Sequence, residues 1–298
     1  MGKASRNKRA GSARDRIAAQ RAAARRAEVR GRVFLASGAV VVVVAIVVAF
    51  VVVKLNHKNN SGSGPATGST LSASVVSDFS TVPASTLNAV GVGAANPKTI
   101  IPISGGSPLT SNGKPEVVYI GAEYCPYCAA ERWAMVVALS RFGTFTGLHG
   151  IHSDPNDVYP NTPTLTFYKS AYKSSYIAFT PVETETVSKA PLQKTTAQQN
   201  QLISKYDAPP YVSAQSKGSI PFVDFGNKYM ISGASYNPQV LAGKTWAQVA
   251  SALKDPSSDI AKGADGAANM ITAAICKLTN NQPASACTPA IKVLEAKL

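Results

Sequence analysis

The apolar run Val117-Val118-Tyr119-Ile120-Gly121-Ala122 is followed after two residues by Cys125-Pro126-Tyr127-Cys128, and no other stretch constrains the fold as tightly. A continuous apolar run of this length reads as a strand, residues 116–122, buried on both faces of a sheet. Pro126 suits the first position of a helix, where its missing N–H had no partner to lose. The junction is therefore strand, turn, helix, with Cys125 at the helix start. Unpaired N–H groups and the positive end of the helix dipole favour a thiolate there. A second thiol one turn away lets the pair cycle between dithiol and disulfide.

The chain has 298 residues and a formal net charge of +14, but that charge is local. Residues 1–32 hold eleven Lys/Arg against two acids, and Lys54 and Lys58 add two more, leaving about +3 for the rest. Beyond the arm there is no electrostatic case for nucleic acid, and no nucleic-acid partner is expected. Residues 33–53 form a 21-residue stretch without a charge. At about 1.5 Å per residue it spans a hydrocarbon core of about 30 Å. The charge bias across it predicts a single-pass membrane protein with its N-terminus in the cytoplasm and the remainder outside. A cleaved signal peptide fits less well, since its apolar region is shorter and ends in a small-residue cleavage site. The basic tail, residues 1–32, reads as a segment held by anionic lipid.

The expected organisation is tail (1–32), transmembrane helix (33–53), flexible Gly/Ser-rich linker (54–73), α/β domain (74–258) and C-terminal helical hairpin (259–298). Within the domain the pattern predicts a short helix over 83–90 with Ser80 or Thr81 near its start. A first strand follows over 98–103, then the 116–122 strand and a helix from Cys125 stopped by Gly143. A strand over 148–152 comes next. Residues 218–225 and 228–232 flank Gly226-Asn227, a two-residue hairpin signal. A helix over 245–254, an Ala-rich helix over 259–278 and a last helix opened by Thr288-Pro289 complete the chain. Residues 154–217 read as an aromatic-rich insertion, either a small subdomain with its own core or a lid facing substrate.

Four cysteines in an outward-facing domain occupy a disulfide-permissive compartment. Of the three possible pairings, their grouping favours two local ones, Cys125/Cys128 and Cys276/Cys287, the latter as a structural staple between the C-terminal helices.

The Cys-Pro-Tyr-Cys motif, the strand before it and Ile220-Pro221 before a hairpin resemble the thioredoxin-like superfamily. More narrowly, Gly121-Ala122-Glu123-Tyr124-Cys125-Pro126-Tyr127-Cys128-Ala129-Ala130-Glu131-Arg132-Trp133 resembles an uncharacterised family of membrane-anchored actinobacterial and archaeal proteins, domain of unknown function 929. The superfamily resemblance implies an α/β thioredoxin-like fold with an attacking Cys125 and a resolving Cys128. It also implies a cis Pro221 beside the disulfide, with the Ile220 backbone presented to an extended substrate. An ordinary trans proline opening an edge strand is the alternative. Superfamily enzymes carry a buried acid six residues before the first cysteine, where this chain has Tyr119. Glu123 is the nearest carboxylate for proton transfer, unless it is a solvated loop residue.

His149 and His152 complete a C-x2-C…H-x2-H pattern, but the histidine spacing is short for zinc, and a strand would send them to opposite faces. No metal and no cofactor is expected. There is no Gly-rich phosphate loop, serine-nucleophile elbow or catalytic triad. Two functions remain. One is a membrane-tethered, extracytoplasmic thiol–disulfide oxidoreductase acting on protein thiols and disulfides, with a quinone-linked membrane oxidase as the expected recycling partner by analogy. In an oxidising exterior, a disulfide donor or isomerase is favoured over a reductase. The other is a non-catalytic envelope binding module with static disulfides.

Overall fold

In the computed structural model, which describes residues 68–298, β4 (Lys114–Gly121) is the central strand. Its alternation divides two cores. Val117 and Tyr119 belong to the larger, Val118 and Ile120 to the smaller. On one side β4 pairs in parallel with β9 (Ala178–Glu183), from Glu116↔Ala178 to Gly121↔Glu183. On the other it pairs antiparallel with β10 (Phe222–Phe225), which continues to β11 (Tyr229–Ser232) and the short β2 (Ile101–Pro102). The two-residue β3 (Thr110–Ser111) folds back on the start of β4. Pro181 sits in β9 at no cost to the ladder, because β9 pairs with β4 alone and proline is tolerated on an edge. The architecture is mixed α/β.

Helix α3 (Pro126–Ser140) fills the larger core and is buried from Cys128 to Leu139, with Tyr127 exposed and Ser140 half-buried at its ends. A helix that is apolar all round must be enclosed. It is covered by α6 (Asp259–Leu278), by α1 (Ala73–Ser80) and by β7 (Pro163–Thr166). Trp133 anchors the contact, edge-on to Phe79 at 6.2 Å and donating its indole N–H to the Pro163 carbonyl at 2.9 Å. The smaller core lies under α4 (Ala197–Tyr206), through Leu202 and Tyr206. α5 (Trp246–Ala252) and α4 both open with a complete capping box, Thr245/Gln248 and Thr196/Gln199. α6 and α7 (Pro289–Glu295) start on Ser258 and Thr288, as N-cap chemistry requires.

Several expectations are corrected. The 154–217 segment is not a subdomain with its own core. It supplies β9 to the central sheet, and Phe167, Tyr172 and Phe179 enter the main core around Phe145. Tyr206 and Tyr211 join the smaller core. The strand over 148–152 exists as β6 (His149–His152), but it pairs with β1 (Ser69–Thr70) and β7, away from the central sheet. Because β1 pairs and Leu71 is buried, the linker ends before Ser69 and not at 73. α1 is an addition to the expected elements, capped by Ser72 and burying Val75 and Phe79 one turn apart. α2 (Ala84–Val90) starts from Pro83 without a side-chain cap, not from Ser80 or Thr81. Gly143 does not stop α3. It opens β5 (Gly143–Thr146), where an added Cβ would lie 2.4 Å from the Lys173 carbonyl of β8 (Ala171–Ser174), so only glycine permits that approach. The first strand shrinks to β2, preceded by a 3-10 turn.

In the hairpin, Gly226 and Asn227 both take positive φ, 61° and 56°, and the Lys228 N–H bonds to the Phe225 carbonyl at 3.0 Å. That is the primed turn the pair predicts. Lys228 then adds one residue, so Phe225 faces Tyr229. The basic tail, the 33–53 span and the linker up to residue 67 lie outside the described residues. Among the described residues no helix is long and apolar enough to cross a membrane.

Candidate functional site

Cys125 is the N-cap of α3, in extended backbone conformation, with Pro126 at the first helical position. Its Sγ accepts the Cys128 N–H at 3.2 Å, so one of the helix's unpaired donors points at this sulfur. Both cysteines are free thiols. Cys128 is wholly buried and Cys125 is 5 % exposed. The two thiols are driven apart in acidity. A hydrogen bond from the Cys128 side chain holds Cys125 below the usual thiol range, against the opposing effect of burial, with the Cys128 N–H and the Arg132 charge assisting. Burial, reinforced by that hydrogen bond and the Cys125 charge, pushes Cys128 well up. Of the two, Cys125 is therefore the sulfur that ionises first, and Cys128 keeps its proton to higher pH.

The chain returns to this sulfur from 95 residues away. The Cys125 thiol lies 3.7 Å from the Ile220 carbonyl oxygen, as donor to it, and the Ile220–Pro221 bond is cis. The β10 ladder begins at Phe222↔Ile120, so the half-buried Ile220 stands outside it. Cys125, Cys128, Ile220 and Pro221, separate in the chain, are therefore neighbours.

Glu123 is not a solvated loop carboxylate. It is 1 % exposed, its N–H bonds to the Glu185 carbonyl, and its Oε1 accepts the Thr166 hydroxyl at 2.7 Å. Oε2 is buried without a partner. Burial raises its pKa, opposed by the Thr166 hydrogen bond. Tyr119 lies beneath the motif, edge-on to Phe167 at 5.0 Å, with a buried hydroxyl that has no partner.

Sequence reasoning missed the largest feature under the cysteines. Arg132 Nε and Nη2 donate to the two oxygens of Glu183 at 2.9 and 2.7 Å, both side chains being fully buried. Nη2 also donates to the Ala122 carbonyl at 2.7 Å, the same oxygen that takes the Cys125 N–H. One signal was available. Glu131 and Arg132 are the only charges in a helix otherwise neutral over fifteen residues. Charges on an enclosed helix must find partners. Glu131 finds Ser235, accepting its N–H at 2.8 Å and its hydroxyl at 3.0 Å, and burial pushes it up to about 7.

Residues 103–277 match the family described as domain of unknown function (DUF929), well over half of the chain. The chain belongs to this family. The matched region contains the cysteine motif, Glu123, Arg132, Glu183, Ile220, Pro221 and Cys276, but ends before Cys287. No curated protein and no solved structure matches the chain.

In this DUF929 member the rim of the site is aromatic. Tyr127, 40 % exposed, meets Tyr159 edge-on at 5.7 Å, and Lys189 lies 5.2 Å over the Tyr124 ring while pairing with Asp154 at 2.7 Å. His149 and His152 lie on β6, opposite Thr166 and Pro163 of β7. His152 packs against Trp246, ring centroids 4.7 Å apart and planes tilted by 43°. Among the described residues there is no group of three or more His, Cys, Asp or Glu arranged to hold a metal ion. Cys276 and Cys287 form a disulfide with Cα atoms 5.7 Å apart, joining the end of α6 to the start of α7.

Proposed function

We propose that the chain is a membrane-anchored, extracytoplasmic thiol–disulfide oxidoreductase on a thioredoxin-like fold. The element order β4, α3, β9, α4, β10, β11 supports the fold reading. So does the strand order β9-β4-β10-β11, with one parallel pair and an antiparallel hairpin. Anchoring and compartment rest on the charge bias around residues 33–53. The single observation that carries the activity is the Cys125 sulfur. It caps a helix, receives the Cys128 N–H, and lies 3.7 Å from the Ile220 carbonyl, brought to it from 95 residues away.

In exchange, the Cys125 thiolate attacks a substrate disulfide and expels one substrate thiolate, leaving a mixed disulfide. Cys128, once deprotonated, attacks Cys125 Sγ, closes the internal disulfide and releases the second substrate sulfur. Glu123 is the carboxylate beside the motif suited to take the Cys128 proton. The reverse sequence donates the disulfide. Ile220 offers a backbone outside the ladder for an extended substrate strand.

Cys128→Ser in the full-length protein should accumulate mixed disulfides through Cys125, while Cys125→Ser should not. Equal trapping by both, or by neither, refutes the exchange mechanism. The near-complete burial of Cys125 favours the second reading, a binding module with a static bond. A reduction potential below about −300 mV would support it, whereas exchange enzymes lie at roughly −270 to −120 mV.

A further inference from the structure

We propose that Arg132 is a positioning residue for disulfide donation: its buried guanidinium, clamped by Glu183 and bonded to the Ala122 carbonyl under the cysteine loop, presents a fixed positive charge to both sulfurs. The inference rests on the oxidoreductase reading and adds to it the direction of electron flow.

The geometry is specific. Arg132 follows Cys128 by four residues, one turn along the same face of α3, and Cys125 caps the start of that helix. Its Nη2 shares the Ala122 oxygen with the Cys125 N–H, which ties the guanidinium to the turn that carries the attacking sulfur. Glu183 takes Nε and Nη2 in a two-point fork, fixing the group's orientation. Nη1 remains buried without a partner. Arg132 and Glu183 are both fully buried, so little solvent or salt screens their field. Two further groups face the pair. The Tyr119 ring lies 5.8 Å from the guanidinium carbon, and Glu123 is hydrogen-bonded by Thr166.

Stability alone gives no reason for such a pair. A buried ion pair gains little over apolar residues of the same volume, because desolvation offsets the attraction. Thiolate chemistry one helical turn away does give a reason. The Arg132 charge draws both thiols toward ionisation, after the hydrogen bond from Cys128 at Cys125 and against burial at Cys128. Whatever stabilises the thiolate stabilises the reduced pair, and so makes its disulfide the stronger oxidant.

The step balances on the protein's own disulfide as oxidant. A substrate thiolate attacks Cys125 Sγ, forming a mixed disulfide. The Cys125–Cys128 bond breaks, and its electron pair leaves on Cys128. That thiolate, developed beside Arg132, takes up one proton. A second substrate thiolate attacks the substrate sulfur of the mixed disulfide and expels Cys125 as a thiolate. The substrate loses two electrons and two protons and gains a disulfide.

The test uses the full-length protein in detergent, equilibrated with reduced and oxidised glutathione, with thiolate absorbance against pH as a second readout. Arg132→Met/Glu183→Met removes both charges at similar volume. It should shift the equilibrium about tenfold toward the oxidised protein and raise the pH at which Cys125 ionises. Glu183→Gln removes only the opposing charge and should move both readouts the other way. Arg132→Lys, which keeps the charge, should stay between wild type and the double variant. A variant that does not melt cooperatively is set aside and the others decide. Shifts of the same sign in Glu183→Gln and the double variant overturn the inference, as do values within about twofold of wild type in every folded variant. Wild-type protein that never equilibrates with glutathione overturns the oxidoreductase reading itself.

Discussion

Cutting the Cys276–Cys287 disulfide separates a staple from a second redox pair. The bond closes a loop with a sequence separation of 11. In the chain-entropy treatment a loop of about twelve residues stabilises the folded state by roughly 3 kcal/mol. The described residues run from 68 to 298. For a unit of that size each kcal/mol moves the melting temperature by about 2–4 °C, so Cys276→Ala/Cys287→Ala should lower it by about 6–12 °C. The folded loop should persist, because other bonds hold it. Arg141 Nη2 donates to the Ala286 carbonyl at 2.7 Å, and the Ala286 and Cys287 N–H groups share the Pro283 carbonyl. Tryptophan fluorescence is the assay of choice. The chain has two tryptophans, Trp133 in the core and Trp246 on Ile151 and Thr164, so the signal reports the described unit and not the 33–53 segment. Reductant-driven turnover at Cys125–Cys128 should be nearly unchanged. A melting shift under about 2 °C combined with loss of turnover would refute the staple and establish a relay.

Three further outcomes are expected. In the reduced protein Cys125 should ionise below the free-thiol value of about 8.5 and Cys128 above it, read by thiolate absorbance with each cysteine replaced in turn; the reverse order refutes the assignment of attacking and resolving sulfurs. Glu123→Gln should slow release of the mixed disulfide about tenfold or more without altering its formation, and an unchanged release rate removes Glu123 from the proton path. Asp265, buried on α6 without a hydrogen-bond partner, is pushed up to about 8 by desolvation. Its folded-state pKa exceeds its unfolded one, so the fold holds a proton that the unfolded chain has lost, and stability falls as pH rises from about 4 to about 8. Asp265→Asn should therefore raise stability by about a few kcal/mol at pH 9 and leave it nearly unchanged at pH 4, as followed by thermal melts. An equal effect at both values would show that Asp265 keeps its charge in the fold.

The buried carboxylates divide the molecule into two chemistries. Glu183 is matched by Arg132, and Glu123 stands beside the cysteine turn, whereas Glu131 and Asp265 lie at the α3–α6 side with burial pressing both toward neutrality. Arg132, held by Glu183, reaches the loop that carries Cys125 through the Ala122 carbonyl, and Glu123 is part of that loop.

What the sequence alone determined lies within a few residues of its cause. Pro126 and the thiol at the helix start follow from cap chemistry, Ser258 and Thr288 mark their helices by the same rule, and Gly226-Asn227 specifies its turn. Cys276 and Cys287 were close enough in the chain to pair by proximity. Only the tertiary structure decided which strand lies beside β4. Residues 148–152 read as the next strand, and nothing local says that 178–183, some sixty residues beyond β4, takes the parallel place instead. That choice carries the rest. It brings Glu183 to Arg132 across 51 residues, encloses Glu123 beneath Thr166, and turns an apparent insertion into core. Caps and turns are satisfied by neighbouring backbone groups and so are written locally. Strand pairing and buried charge are settled by which distant surfaces exclude water together, and the order of residues does not display that.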